Sequence, residues 1–287
     1  MKLVVTGAAG QLGVDVVRFA ESVGDDVVGV DRTALDITDL AAVHTLLDRV
    51  RPDAVINCAA YTAVDACETN QTTAFAVNAD AVGGLSATCE LVGAHLVHVS
   101  TDYVFDGTLH RPYREDDTPN PQSVYGSSKL AGEHAAGPDA AIARTSWVCG
   151  EHGNNMVKLV LRLAADPDQA LAFVDDQVGC PTFTADLAPA LHRLAGDRRA
   201  GIHHLTNQGP VSWYEFVREI LAAAGHDPGR VRPIATAELD PPRPAPRPAN
   251  SVLDNAVWRA AGLPMLSLIH ISEPTRPTRA SRMPSSA

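Results

Sequence analysis

Basic residues are scarce in this chain: 23 Lys and Arg stand against 34 Asp and Glu, a formal net charge of -11. Such a balance offers no basic face to a polyanion and argues against a nucleic-acid partner. Long apolar runs are also missing; no segment approaches the length that spans a bilayer, so no membrane partner is expected. The apolar residues from Met1 to Val5 meet a glycine turn too soon to form a secretory signal. The cysteines (Cys58, Cys67, Cys89, Cys149 and Cys180) are few, odd in number and without a Cys-x-x-Cys pair. That spacing speaks against a disulfide framework; they read as small buried residues of a reducing compartment, and a cytoplasmic location is expected.

What is present suffices for a core. At 287 residues and 45% hydrophobic content the chain can hold one large α/β domain or two unequal ones. Lys2 to Thr6 reads as a short strand and runs directly into Gly7-Ala-Ala-Gly10-Gln-Leu-Gly13, after which helical spacing takes over. In a strand–turn–helix unit, Gly7 permits the tight turn, Gly10 admits a pyrophosphate close to the backbone and Gly13 allows close helix packing. The spacing is Gly-x-x-Gly-x-x-Gly rather than the usual Gly-x-Gly-x-x-Gly. A second strand, Val27 to Val30, ends in Asp31-Arg32. The acid would accept hydrogen bonds from ribose hydroxyls and favour NAD, whereas the arginine would meet a 2′-phosphate and favour NADP. Both cofactors stay open. Asp36 and Ile37 could flank an adenine, and Thr38 or Asp39 caps the next helix, Leu40 to Val50.

Further strands are expected at Asp53 to Asn57, Leu96 to Val99 and Ala141 to Arg144, with helices between them. This alternation predicts a Rossmann-like, doubly wound parallel sheet with a smaller C-terminal substrate-binding domain. The boundaries expected are 1–145 for the nucleotide-binding domain and 146–264 mainly for the substrate domain, with strands that can return to the first. From about Met265 the pattern breaks into a Ser/Thr/Arg-rich segment interrupted by prolines, read as a non-native, disordered tail over 265–287.

The fourth strand delivers Ser100-Thr101-Asp102 to its carboxyl end, and Tyr125 and Lys129 stand four residues apart, on one face of a helix. A nearby ammonium is expected to lower the Tyr125 phenol toward neutral pH, so that it can exchange a proton with a carbonyl oxygen. The Thr101 hydroxyl could hold the same oxygen while a hydride reaches the carbon. Trp147, just past a strand, suits either stacking on a substrate ring or a place in the core. Arg247, on a proline-rich segment, suits either a diphosphate clamp or a solvated surface. Asp175-Asp176 lacks a third ligand at a diagnostic spacing, so a hydrogen-bonding loop is preferred and no metal is expected. His203 and His204 point to opposite faces of a strand and cannot easily share one ion.

Together these blocks resemble the extended short-chain dehydrogenase/reductases and, within them, the branch that reduces dTDP-4-dehydrorhamnose. The residues that carry the resemblance are Gly7-Ala-Ala-Gly-Gln-Leu-Gly13, Asn57-Cys-Ala-Ala-Tyr-Thr-Ala-Val-Asp65, Ser100-Thr-Asp-Tyr-Val-Phe-Asp-Gly107, Tyr125-Gly-Ser-Ser-Lys-Leu-Ala-Gly-Glu133, Arg144-Thr-Ser-Trp147, Gly153-Asn-Asn155, Asp176 to Thr182 and Arg247-Pro-Ala-Asn-Ser251. The resemblance implies reduction of the 4-keto group of a dTDP-4-keto-6-deoxysugar by NADPH or NADH, and a homodimer. It further implies that Tyr125 donates the proton, that Lys129 tunes it and holds the nicotinamide ribose, and that Thr101 and Asp102 contact the substrate. Gly10, Gln11 and Leu12 would bind the pyrophosphate, and Asp31, Asp36, Ile37, Ala60, Tyr61 and Thr62 the rest of the cofactor. Trp147, Asn155 and Arg247 complete the substrate set. Other readings are a ketoreductase for a different dTDP-deoxysugar, a nucleotide-sugar epimerase, and a non-catalytic NADP-binding regulatory subunit.

Overall fold

The computed structural model describes residues 1–267. Alternation of apolar side chains builds the central layer. In β1 (Lys2–Thr6), Leu3 and Val5 face one hydrophobic cluster and Val4 the other, and all three are fully buried. Beside it lie β2 (Asp26–Val30), β3 (Ala54–Asn57), β4 (His95–Thr101), β5 (Ala141–Thr145) and β6 (Gly201–His204). The order across the sheet is β2-β1-β3-β4-β5-β6 with every pairing parallel. The chain reverses its direction of travel between β1 and β3, which is where an open α/β sheet leaves a crevice at its carboxyl edge.

Helices close both faces. On one side, α1 (Gln11–Ser22) presents Leu12, Val16 and Ala20 at four-residue spacing, against Leu187, Leu191 and Leu194 of a later helix. On the other, α2 (Leu40–Val50), capped by Asp39 onto Ala42 N, packs with α3 (Ala81–Val92) over Val4, Val55 and Leu96. The catalytic-motif helix is α4 (Val124–Ala136); Ser123 Oγ accepts from Gly126 N and Glu68 accepts from Val124 N, so two side chains fix where it starts.

The second lobe has its own core of Val160, Leu171, Phe216, Ile220 and Val231, contributed partly by α5 (Met156–Ala164). The chain then returns: α6 (Thr184–Gly196) lies on α1, and β6 pairs with β5 before α7 (Trp213–Ala223), with its Ser212–Glu215 capping box, goes back to the second lobe. At the start of the segment expected as a tail, Leu266 is buried in the main core, and Ser267 bonds to Asn207 and to Asp186 of α6. The remainder of that segment lies outside the described residues. No helix of the described residues is long and apolar enough to cross a membrane.

Candidate active site

Two walls meet at the carboxyl edge of the sheet. One is the end of β4, where Thr101 is the last strand residue and Asp102–Val104 form a single tight turn. The other is the first two turns of α4, carrying Tyr125 and Lys129. Between them is a cavity of about 410 Å³ that also reaches Gly10, Thr62, Ser146 and Trp147. A second cavity, about 290 Å³, shares Gly10, Cys58 and Ala60 with the first and extends past Asp31, Arg32, Asp36, Ile37 and Tyr61. The two form one groove along the carboxyl ends of β1, β2 and β3.

The glycine turn is shaped for a dinucleotide. Gly7 has φ 67°, and a Cβ there would lie 2.8 Å from the backbone N of Ala59. Gly10 is the N-cap of α1 without a side chain, so the first-turn N–H groups of Gln11, Leu12 and Gly13 stay available to an anion. A Cβ on Gly13 would fall 2.2 Å from Gly7 O, which is why the helix can sit so close to the turn. Asp31 Oδ1 takes three bonds from Thr33 and Ala34, which orient the carboxylate and hold it below its ordinary range. Arg32 is well exposed and pairs with Asp36 at 3.6 Å. The residues present therefore fit an NAD(P) cofactor.

At the reacting end, burial decides the protonation states. Tyr125 is raised by burial, not lowered, and remains a phenol at neutral pH. The expected depression by Lys129 is absent because its Nζ is turned elsewhere, 2.7 Å from Val99 O and 3.2 Å from His98 Nε2. Burial brings Lys129 itself down to about 8. Thr101 Oγ1 donates to Asp102 Oδ1 at 2.9 Å, while Asp102 Oδ2 has no partner among the described residues. Burial pushes that carboxyl up to about 6, so it is still mostly a carboxylate at neutral pH. Tyr103 stands edge-on to Tyr125, ring centroids 5.5 Å apart.

Not every expected substrate residue points into this cavity. Asn155 is spent: its Oδ1 caps α5 through Lys158 N, and its Nδ2 donates to Gln11 Oε1 and Gly150 O. The neighbouring Asn154 lines the cavity instead. Arg247 forms a two-pronged pair with Asp65, at 2.5 and 2.8 Å, which holds the carboxylate at about 2. It lines a third cavity of about 190 Å³ with Arg243, Tyr103, Phe173 and Trp213. Trp147 has φ 46° and lies flat on Trp213, centroids 3.5 Å apart, so one of its faces is already covered. Asp175 and Asp176 accept from Ser212 and Thr236, as expected of a hydrogen-bonding loop. Both His203 and His204 are buried.

Sequence reasoning missed three buried polar residues that build the site from behind. Asn57 ends β3, His98 sits within the apolar run of β4, and Asn78 occupies a π-helical turn, Ala76–Asp80. Asn78 clasps the Tyr61 backbone, accepting at 2.8 Å and donating at 3.1 Å, and donates to Ser128 of α4 at 3.0 Å. A π-turn commonly marks a functional position. The available signal was a polar residue repeatedly set where burial would demand a partner.

A doubly wound sheet with a glycine turn after β1 and a Tyr-x-x-x-Lys helix facing the end of β4 defines an oxidoreductase of the extended short-chain dehydrogenase/reductase class. Comparison with known proteins narrows this. The chain belongs to the family described as RmlD substrate binding domain, whose model matches residues 1–268. It is 47% identical over 268 residues to the dTDP-4-dehydrorhamnose reductase of Streptomyces griseus, covering 90% of this chain and 87% of that one. It is 41% identical over 268 residues to the dTDP-4-keto-6-deoxy-D-glucose reductase of Streptomyces niveus, covering 90% of each. Among solved structures it resembles the dTDP-4-dehydrorhamnose reductase of Bacillus anthracis in complex with NADP, with TM-score 0.88 and 35% identity over 93% of this chain and 95% of that one.

Proposed function

We propose that this protein reduces the 4-keto group of dTDP-4-dehydrorhamnose to give dTDP-L-rhamnose, using NADPH or NADH. The observation that carries the reading is the facing pair of walls, Thr101-Asp102 and Tyr125-Lys129, around a cavity continuous with a dinucleotide groove. When bound, the nicotinamide supplies a hydride to the carbonyl carbon. Tyr125, kept protonated by burial, gives its proton to the carbonyl oxygen, so C=O becomes CH–OH with no further reactant. Thr101 turns its one hydroxyl proton from Asp102 onto that oxygen, and the ammonium form of Lys129 stabilises the phenolate left behind. Asp102 holds the Thr101 hydroxyl until the substrate enters and offers its second oxygen to a sugar hydroxyl.

The third cavity supports a nucleotide-linked substrate. It adjoins the first through the Tyr103–Tyr125 and Trp147–Trp213 contacts, and it sets aromatic rings beside Arg243 and Arg247. Flat rings suit a base, and guanidinium groups suit a diphosphate. The likeness to the Streptomyces niveus reductase favours, as a second reading, a different dTDP-4-keto-6-deoxysugar. The five free cysteines, four of them buried, suit the cytoplasm, and a homodimer is the assembly the resemblance implies.

Following NADPH and NADH oxidation with dTDP-4-dehydrorhamnose tests this directly. Tyr125→Phe should lower kcat by roughly 10²–10⁴-fold with cofactor binding retained. Unchanged turnover in that variant refutes the assignment. Equal or faster rates on a C5-epimeric sugar favour the second reading. An epimerase would interconvert sugars without consuming NAD(P)H, and a regulatory subunit would bind NADP without turnover.

A further inference from the structure

Behind Lys129 runs a buried chain of side chains that the proposed reaction does not use. Thr6 Oγ1 donates to Asn57 Oδ1 at 2.6 Å, Asn57 Nδ2 meets His98 Nδ1 at 3.0 Å, and His98 Nε2 meets Lys129 Nζ at 3.2 Å. Lys129 Nζ then donates to Val99 O at 2.7 Å. Every side chain in it is nearly or fully buried, so water cannot reassign its donors and acceptors.

One backbone group sets the polarity of the whole chain. The amide N–H of Ala59 can only donate, and it meets Asn57 Oδ1 at 3.1 Å. Asn57 therefore presents its carbonyl to Ala59 and Thr6 and its NH₂ to His98. His98 Nδ1 must accept, and a neutral ring then carries its proton on Nε2, pointing at Lys129. A donor there matches a free amine, which has a lone pair, and opposes an ammonium, which has none.

We infer that His98 is a positioning residue for Lys129: its Nε2–H holds the free amine against Val99 and repels the ammonium from that resting place. On gaining a proton, Nζ keeps Val99 O but has no lone pair left to accept from the Nε2–H of His98, so that contact becomes repulsive. Lys129 is faced by Cys58 just past β3, by His98 from β4 and by Glu133 from its own helix, with Glu133 already paired to Arg144 of β5. None of these is a free carboxylate at contact. The lysine's charge is thus coupled to its position by the ring behind it. Burial and the nearby lysine hold His98 itself well below the usual histidine range, in keeping with a neutral ring. The inference rests on the proposed reaction only where activity is the readout.

Nitrogen NMR of the unaltered, cofactor-free protein with labelled histidine tests it first, with the His98 signals among 11 histidines identified by their loss in His98→Gln. The expected pattern is an unprotonated Nδ1 and a protonated Nε2. A proton on Nδ1, or an imidazolium at neutral pH, overturns the inference. In the second arm, His98→Gln places an amide oxygen where it can accept from the ammonium. The alkaline limb of kcat/KM for the reductase reaction should then move up by about one unit, a tenfold change in proton affinity. A limb that stays in place overturns the inference, because a role confined to packing would alter kcat or stability and leave the limb where it was. Failure of the sugar nucleotide to react at all would refute the proposed function and leave the NMR result to decide this one.

Discussion

Replacing Glu133 by leucine strands a charge in the core. Arg144 is 1% exposed, and its Nε and Nη2 reach Glu133 at 2.9, 3.2 and 2.6 Å. Its Nη1 has no partner among the described residues, and the Phe105 ring lies 5.1 Å from the guanidinium carbon. Without Glu133 the guanidinium keeps its charge, since it does not deprotonate in proteins, and nothing else within reach neutralises it. Removing one member of a buried pair costs about 3–5 kcal/mol, a fifth or more of a typical stability of roughly 5–15 kcal/mol. Arg144→Met should cost a similar amount, leaving Glu133 with only Ser100 Oγ at 2.5 Å. The double variant Glu133→Leu/Arg144→Met removes both charges and should recover most of the loss, because well-packed apolar replacements of such pairs are often neutral or stabilising. Urea unfolding followed by circular dichroism gives the coupling energy from the four proteins. Two single variants that each lose under about 1 kcal/mol, or a double that loses their sum, would refute the reasoning. The same cycle reads the site, since Glu133 lies on the face of α4 that carries Lys129 and Tyr125.

Lys129→Met tests the lysine's burial through pH. The unfolded chain keeps that proton up to the ordinary 10.5 and the folded one only to about 8, so between these values the unfolded state binds more protons. Stability contributed by this group therefore rises with pH across the window, by roughly 3 kcal/mol, and the difference between wild type and Lys129→Met should shrink accordingly. A difference independent of pH from 8 to 10.5 would contradict it. Gly7→Ala should weaken NADPH binding in calorimetry and cost about 1–3 kcal/mol, from the strain at φ 67° and the contact with Ala59. Asn155→Ala should lower Tm by the equivalent of about 1 kcal/mol for the lost cap, and raise KM for the cofactor by freeing Gln11. Unaltered KM would detach Gln11 from the cofactor.

The sheet was legible because its strands are short β-rich runs that end in glycine or polar turns, and Lys2–Thr6 and Ala141–Thr145 fall within a residue of where the pattern puts them. Tyr125, Lys129 and Thr101 were legible because one helix face and one strand end bring them together without any distant information. Their protonation was not: a spacing of four shows that a phenol and an amine share a face, but not that the amine is turned back toward Val99. Arg247 illustrates the same gap, since its partner Asp65 is 182 residues away and no local pattern couples them. That strands of the later segment can return to the first lobe was expected, but the sequence did not say that α6 and β6 are the ones. They follow the start of the second lobe in the chain, and only the parallel pairing of Gly201 to His204 with Ala141 to Arg144 assigns them.

The chain contains three tryptophans, and their placement makes the protein its own optical gauge. Trp147 and Trp213 are 7° from coplanar at 3.5 Å, on the partition between the cavity of Tyr125 and the aromatic slot beside Arg247. Two indoles that close share their excited states, so their near-ultraviolet dichroism takes a paired, opposite-signed form set by the angle between them. Trp258 sits apart in the main core, 2% exposed, with its N–H donated to Pro264 O. It supplies a constant background against which a ligand that wedges, tilts or merely covers the stacked pair leaves a distinct spectral trace, without label or coupled enzyme.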